Sequence, residues 1–427
     1  MLVRNGAALT TKVASTNSMS QFISGVRSVS LIVAIAAMPA WGAVAESGYN
    51  WNRYETAAID EARDIEEALT LTGRRGILEA RIEGPAPADL DEFVENYSVT
   101  DPYVEVFPAA FEPLVAQQDQ ILGYGIKLLK DEDRILMLVR PDTPAADAGF
   151  SGAYSLNTVE DRVATAQDFE AVVAALSAPR RDTVRLNVRS LDSGLTVSRS
   201  LRKRLYTPRT AQQVRGYDLP MIRILDFAAG KTEREVASFL RDIPANSPLI
   251  LDLRYCNGGE LQSAVNVAQL FLGPNASLGM SVDREGAETA YMTGAENRAR
   301  HTGTLIVYTS ANTMSASEFL LRALSHNRDV RIVGERTNGK CFAQSTFRLA
   351  SGRHLRFSTA ALFGPDRSAC AGDGIVPDET TTGGLTHATH ELVRRSRLAL
   401  ESVRYPGLTN SDGLRQHIIT PDGDELP

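Results

Sequence analysis

The chain has 427 residues, a formal net charge of −7, 43% hydrophobic and 23% charged residues. At roughly 150 residues per domain that length sets two or three domains, and the composition excludes collagen-like, wholly disordered and polytopic membrane classes. The acidic balance argues against a nucleic-acid binder, which needs a basic face.

Near the N-terminus Arg27 precedes an apolar run over 29–38, followed by Ala43-Val44-Ala45 and Glu46. A basic residue, a short apolar run and a small-x-small site have the form of a secretory signal, and a membrane span needs about 20 apolar residues. The expectation is a signal over 1–45, with Met19 as an alternative start, and an exported, periplasmic chain after it. An uncleaved anchor is the other reading. Residues 46–117 are acidic, helical around 54–70 and irregular through Asp101-Pro102-Tyr103, with no visible chemistry.

Over 118–205 short strands are predicted at 124–129, 134–139, 183–189 and 195–201, the last two joined by the turn Asp192-Ser193-Gly194. One helix opens on Thr165-x-x-Asp168 and carries Phe169, Val172, Val173 and Leu176 on one face. Over 206–400 strands alternate with helices. Strands are predicted at 219–227, 248–253, 304–309 and 330–333, with helices after Thr232, after Gly258-Gly259 and over 314–325. A hairpin at 342–349 and 354–359 and a helix at 386–403 follow, and 401–427 is a loose tail. The alternation predicts an α/β core with a largely parallel sheet flanked by helices, whose ligands sit at the carboxyl ends of strands.

Three cysteines, Cys256, Cys341 and Cys370, leave one thiol over in an oxidising compartment. Three pairings are open, and Cys341–Cys370 is favoured because it would clip a loop beside Lys340. No spacing of cysteines or histidines points to a metal, and His387 and His390 read as surface residues. Lysine is scarce: six (Lys12, Lys127, Lys130, Lys203, Lys231, Lys340) among 45 basic residues leave 45 − 6 = 39 arginines. Lysine can be tuned to lose its proton and arginine cannot.

Ser315 opens a helix in Thr313-Met314-Ser315-Ala316-Ser317-Glu318, and Lys340 lies in a loop between strands. Taken singly they read as a helix cap and a solvated charge. Together with Leu251-Asp252-Leu253-Arg254, Gly258-Gly259, Gly334-Glu335-x-Thr337-x-Gly339-Lys340 and Gly374-Ile375-x-Pro377-Asp378, they resemble the carboxyl-terminal processing (tail-specific) proteases of the S41 class. The serine-to-lysine spacing, 340 − 315 = 25, is similar to theirs. The resemblance covers 118–378 well and 46–117 weakly. It implies a core of the ClpP/crotonase-like type, Ser315 as nucleophile, Lys340 as general base, and Gln344 orienting the lysine. It also implies an oxyanion hole from Gly258 or Gly259 with Ala316, and no cofactor or metal. Elementary chemistry agrees: serine is a poor nucleophile until a base takes its proton, and lysine is a base only when burial lowers its pKa.

Residues 118–205 resemble a PDZ domain, with Gly123-Tyr124-Gly125-Ile126 at the carboxylate-binding loop and Pro141-x-x-Pro144-Ala145-Ala146-x-Ala148-Gly149 after it. This implies protein or peptide substrates engaged by accessible C-termini, with an adaptor protein and the oligomeric state left open. Departures from the family pattern are Tyr255-Cys256-Asn257 before the glycines, His326 where an aspartate is usual, and Gly152-Ala153-Tyr154-Ser155 in the PDZ-like block. The expected activity is exported serine endopeptidase. The alternatives are an inactive PDZ-bearing scaffold and an acyl-transfer enzyme using the Gly-Gly turn.

Overall fold

The computed structural model describes residues 61–78, 86–107, 120–131, 133–177, 182–369, 372–381 and 389–404. The expected signal, Cys370 and the tail after 404 lie outside them.

Three layered units position the site. The first described elements are helices α1 (Glu61–Arg75) and α2 (Leu90–Ser98) and strand β1 (Glu105–Phe107). Asp89 caps α2, its carboxylate accepting the Glu92 N–H at 2.8 Å. Leu90, Phe93 and Tyr97 of α2 and Ala68 of α1 bury against Leu355 and Phe357.

A second unit begins with β2 (Ile121–Gly123), β3 (Ile126–Asp131) and β4 (Arg134–Val139), continues through the short α3 (Pro144–Asp147), β5 (Ala153–Val159) and β6 (Arg162–Val163), and closes with α4 (Phe169–Ser177), β7 (Thr183–Ser190), β8 (Thr196–Arg202) and β9 (Arg204–Tyr206). Its main sheet runs β3-β4-β5-β7-β8, with β6 against β5, so β3 is an edge strand. The stripe expected on α4, Phe169, Val172, Val173 and Leu176, enters this core.

The third unit holds β10 (Ala211–Val214), β11 (Met221–Ile224), α5 (Thr232–Leu240), β12 (Leu249–Asp252), α6 (Leu261–Ala268), β13 (Ser277–Asp283) and β14 (Glu288–Met292). After these come β15 (Leu305–Thr309), α7 (Ala316–Asn327), β16 (Val330–Gly334), β17 (Phe342–Arg348), β18 (His354–Phe363), β19 (Glu379–Thr380) and α8 (Thr389–Arg404). One sheet runs β10-β11-β12-β15-β16-β19. Only the β10–β11 pair is antiparallel and the other four pairs are parallel. Strand periodicity divides its faces. Leu249, Leu251, Leu305 and Val307 face α5, α6 and α7, while Ile250, Ile306 and Tyr308 face Leu392 and Val393 of α8. Burial on both faces explains the unbroken apolar runs of β12 and β15. The other sheet, β1-β18-β13-β14 with β17 on β18, joins the first unit to the third.

A buried ion cluster closes the end of β12. Asp252 accepts from Arg223 Nε at 2.8 Å and from Arg254 Nε and Nη2, each at 2.9 Å. Burial alone would raise the Asp252 pKa, but the two guanidiniums hold it well below the carboxylate range.

Candidate active site

Ser315 stands at the N-terminus of α7 with φ 56° and ψ −122°, a sparsely populated backbone region for a residue with a Cβ. Its loop is pinned onto the segment after β12. Ser310 Oγ donates to Arg254 O at 2.7 Å, Thr313 Oγ1 to Leu253 O at 3.0 Å and Ser317 Oγ to Cys256 O at 3.1 Å. The hydroxyl-rich stretch 310–317 therefore serves as the set of ties that overdetermine Ser315.

The two glycines have different neighbours. A Cβ on Gly258, at φ +100°, would lie 2.9 Å from Ser315 Cβ and 3.2 Å from the Ala316 nitrogen. A Cβ on Gly259 would lie 2.2 Å from the Phe227 carbonyl oxygen instead. Thus Gly258 permits the approach to Ser315, and Gly259 permits the bridge to Phe227. Among the described residues, no main-chain carbonyl accepts from the N–H of Gly258, Gly259 or Ala316. Of these, Gly258 and Ala316 lie beside Ser315 at the positive end of a helix.

Glu318 ties the serine loop to the lysine loop. Its Oε2 accepts the Ser315 N–H at 3.1 Å, and its Oε1 accepts from Gly339 N at 2.7 Å and Thr337 Oγ1 at 2.5 Å. Burial raises the Glu318 pKa, opposed by these three hydrogen bonds. The spacing Ser-x-x-Glu reads from sequence as a helix cap, and its reach to residues 337 and 339 is a tertiary feature that no local pattern reveals.

Lys340 Nζ donates to Gln344 Oε1 at 2.8 Å. Gln344 Nε2 in turn donates to the Tyr103 carbonyl oxygen at 2.7 Å, and the Tyr103 ring centroid lies 4.5 Å from Nζ. Burial brings the Lys340 pKa down to about 8, helped by Arg356 and opposed by Glu105, Asp101 and Glu318. The structure thus joins Lys340 and Gln344, and sets Gly258 and Ala316 beside Ser315. Among the described residues no hydrogen bond links Nζ to Ser315 Oγ, and Gln344 is the partner of Nζ. One expectation is corrected. The segment 46–117 is not without chemistry, because Tyr103 touches both members of the lysine–glutamine pair. The missing signal lay in pairing: β1 aligns with β18 about 250 residues later, with Glu105 opposite Arg356.

The segment Gly123-Tyr124-Gly125-Ile126 links β2 to the edge strand β3. Gly125, at φ +78°, is needed there, since a Cβ would meet the Thr143 side chain at 2.0 Å. Behind it Lys127 Nζ contacts Asp226 Oδ1 at 2.9 Å, and Arg140 Nη2 contacts Asp226 Oδ2 at 2.6 Å. Burial would raise the Asp226 pKa, but Lys127 and Arg140 hold it down. Asp226 immediately precedes Phe227, whose N–H donates to the Gly258 carbonyl at 3.0 Å.

Cys256 is a free, buried cysteine, its pKa pushed up by burial to about 11, so it packs as a thiol. Cys341 is disulfide-bonded.

This core, with a serine at a helix N-terminus and a desolvated lysine, has the fold of a peptidase. It superposes with a TM-score of 0.57 on a putative S41 protease from Bacteroides fragilis, at 15% identity, covering 78% of this chain and 96% of that one. It superposes on a photosystem II D1 C-terminal processing protease with a TM-score of 0.51 at 20% identity, covering 75% and 93%. Residues 218–381 match the model of peptidase family S41. In sequence it is 28% identical over 275 residues to a carboxyl-terminal-processing protease of Synechocystis sp., spanning 62% of this chain and 64% of that protein. It is 26% identical over 272 residues to a carboxy-terminal-processing protease of Bartonella bacilliformis, spanning 60% of each. The chain thus matches about three fifths of the length of these two relatives.

Proposed function

We propose that this protein is an exported serine endopeptidase that engages protein C-termini and cleaves with a Ser–Lys dyad. The observation carrying the reading is Lys340, desolvated to a pKa of about 8 and held by Gln344. A pKa near working pH is what a general base requires. Ser315 Oγ attacks the scissile carbonyl, and its proton passes to neutral Lys340 Nζ. The carbonyl oxygen takes on negative charge beside the N–H groups of Gly258 and Ala316, where donors of this kind are worth on the order of 100–1,000-fold in rate. Lys340 then protonates the leaving amine. Water, deprotonated by the same lysine, hydrolyses the acyl-enzyme. In apo sites such hydrogen bonds are often long and tighten on substrate binding, consistent with Nζ resting on Gln344.

On this reading 118–205 is the PDZ-like module. A substrate tail adds as a strand at the β3 edge, and its carboxylate meets the N–H groups around Gly123–Ile126. Residues 1–45 are the export signal, and Cys341 pairs with Cys370 in the oxidising compartment. The test is cleavage of an unstructured peptide with a free C-terminus by the full chain. Ser315→Ala and Lys340→Ala abolish it, and a chelator leaves it unchanged. Undiminished cleavage by Ser315→Ala refutes the proposal.

A further inference from the structure

We propose that Tyr103, from the segment before the peptide-binding unit, is a positioning residue for the lysine base: its carbonyl fixes the Gln344 amide and its ring roofs Lys340 Nζ. The inference rests on the dyad reading above and extends it to a part of the chain outside the family match.

An unconstrained glutamine amide can present either its oxygen or its nitrogen to a neighbour. Because Gln344 Nε2 donates to Tyr103 O at 2.7 Å, Oε1 is the atom that faces Lys340 Nζ, at 2.8 Å. The distinction matters for a base. Oε1 accepts an N–H of lysine in either protonation state and leaves the amine lone pair free for the serine proton. A flipped amide would donate into that lone pair and occupy it.

Tyr103 is itself held from both sides. Its N–H donates to Asp101 Oδ1 at 3.1 Å. Asp101 accepts from Ser358 N at 2.7 Å and Ser358 Oγ at 3.1 Å. Two residues on, Glu105 is ion-paired with Arg356 where β1 joins β18. The phenol does not compete as a base, because burial, with Glu318 and Asp101 nearby, pushes its pKa up to about 12. The ring has Nζ over it at 4.5 Å from its centroid and the Phe342 ring at 6.4 Å between centroids. The charged groups acting on Lys340 are Arg356 from β18, which disfavours the ammonium, and Glu105, Asp101 and Glu318 from β1, the preceding loop and α7, which favour it. A ring face attracts a cation, yet the lysine is a weaker base than in water. Desolvation therefore outweighs attraction beneath this ring.

The experiment is the pH dependence of kcat/KM for an unstructured peptide, with full-length wild type, Tyr103→Phe, Tyr103→Ala and Tyr103→Leu. In Tyr103→Ala water reaches Nζ, so the acid limb moves up by about one pH unit. Activity then falls about tenfold at pH 7.5 and recovers by about pH 9.5, in proportion to the neutral lysine. Tyr103→Phe restores the wild-type limb, because ring and carbonyl remain. Where circular dichroism shows Tyr103→Ala to be unfolded, Tyr103→Leu, which fills only part of the ring's volume and so still admits water to Nζ, stands in for it. An acid limb unmoved in the folded variant, with or without loss of rate, overturns the inference, as does a Tyr103→Phe limb shifted like that of Tyr103→Ala. Cleavage surviving Ser315→Ala or Lys340→Ala strikes instead at the dyad reading.

Discussion

Replacing Lys340 by methionine should stabilise the protein while abolishing catalysis, with a gain that depends on pH in a fixed direction. The folded site lowers the lysine from 10.5 to about 8, which at 1.36 kcal/mol per pH unit is a cost of about 3 kcal/mol below pH 8, where the lysine is charged in both states. Methionine keeps the unbranched stem but forfeits the hydrogen bond to Gln344, worth about 1 kcal/mol net, and the contact with the Tyr103 ring, about 0.5–1 kcal/mol. The net gain is about 1–2 kcal/mol below pH 8. Between the folded and unfolded pKa values the unfolded wild type binds more protons than the folded one, so wild-type stability rises with pH there. The advantage of Lys340→Met therefore shrinks from pH 8 upward and reverses by about pH 10.5. Urea unfolding followed by circular dichroism at pH 6, 7, 8, 9 and 10 reads this difference directly. A Lys340→Met protein less stable than wild type at pH 6, or a difference constant across the series, refutes the reasoning.

Three further outcomes follow from the geometry. Gly258→Ala sets a methyl 2.9 Å from Ser315 Cβ at φ +100° and should cut kcat at least 100-fold. Gly149→Ala, with a similar φ of +84° but open space, should lose only stability, and equal rate losses in both would count against the claim. Glu318→Gln places an NH₂ against either the Ser315 N–H or the Thr337–Gly339 donors, leaving a buried donor unpaired at a cost of about 1–3 kcal/mol; lower kcat and earlier unfolding are expected, and an unchanged melting midpoint would contradict this. Asp226→Asn takes the paired carboxylate from Lys127 and Arg140, buried at 3% and 2% exposure, leaves them the Leu225 and Arg209 carbonyls, and should destabilise by about 3 kcal/mol, read as a lower urea midpoint.

Much of the fold is legible from periodicity alone. The runs over 248–253 and 304–309 anticipated β12 and β15, because strands buried on both faces are unbroken apolar stretches. The facial stripe and Thr165 start anticipated α4. β13 and β14 escaped notice for a physical reason. Gly279 interrupts the alternation where the register shifts, and β14 is an exposed edge with no apolar face to read. α2 is hard to read although Asp89-x-x-Glu92 is a capping signal and Leu90, Phe93, Val94 and Tyr97 keep helical spacing, since nine residues are a short window for that period. At the site, Lys340 and Gln344 meet as their four-residue separation permitted. The contributions of Glu318 and Tyr103 were invisible, because each acts across separations of about 20 and 240 residues through a carboxylate and a main-chain carbonyl.

The seating of β1 on β18 has a consequence for the order in which the protein becomes competent. Asp64 binds Ser351, Asp101 binds Ser358 and Glu105 binds Arg356, all more than 250 residues apart in sequence. Contacts of that span close late, after intervening units have condensed. A chain emerging N-terminus first can complete the sheet of β3 to β8 and begin its parallel core before the strand that receives β1 exists. The last pieces to assemble are then those that hold Lys340 and Gln344, so the proposed base is set in place only when nearly all of these elements have been made.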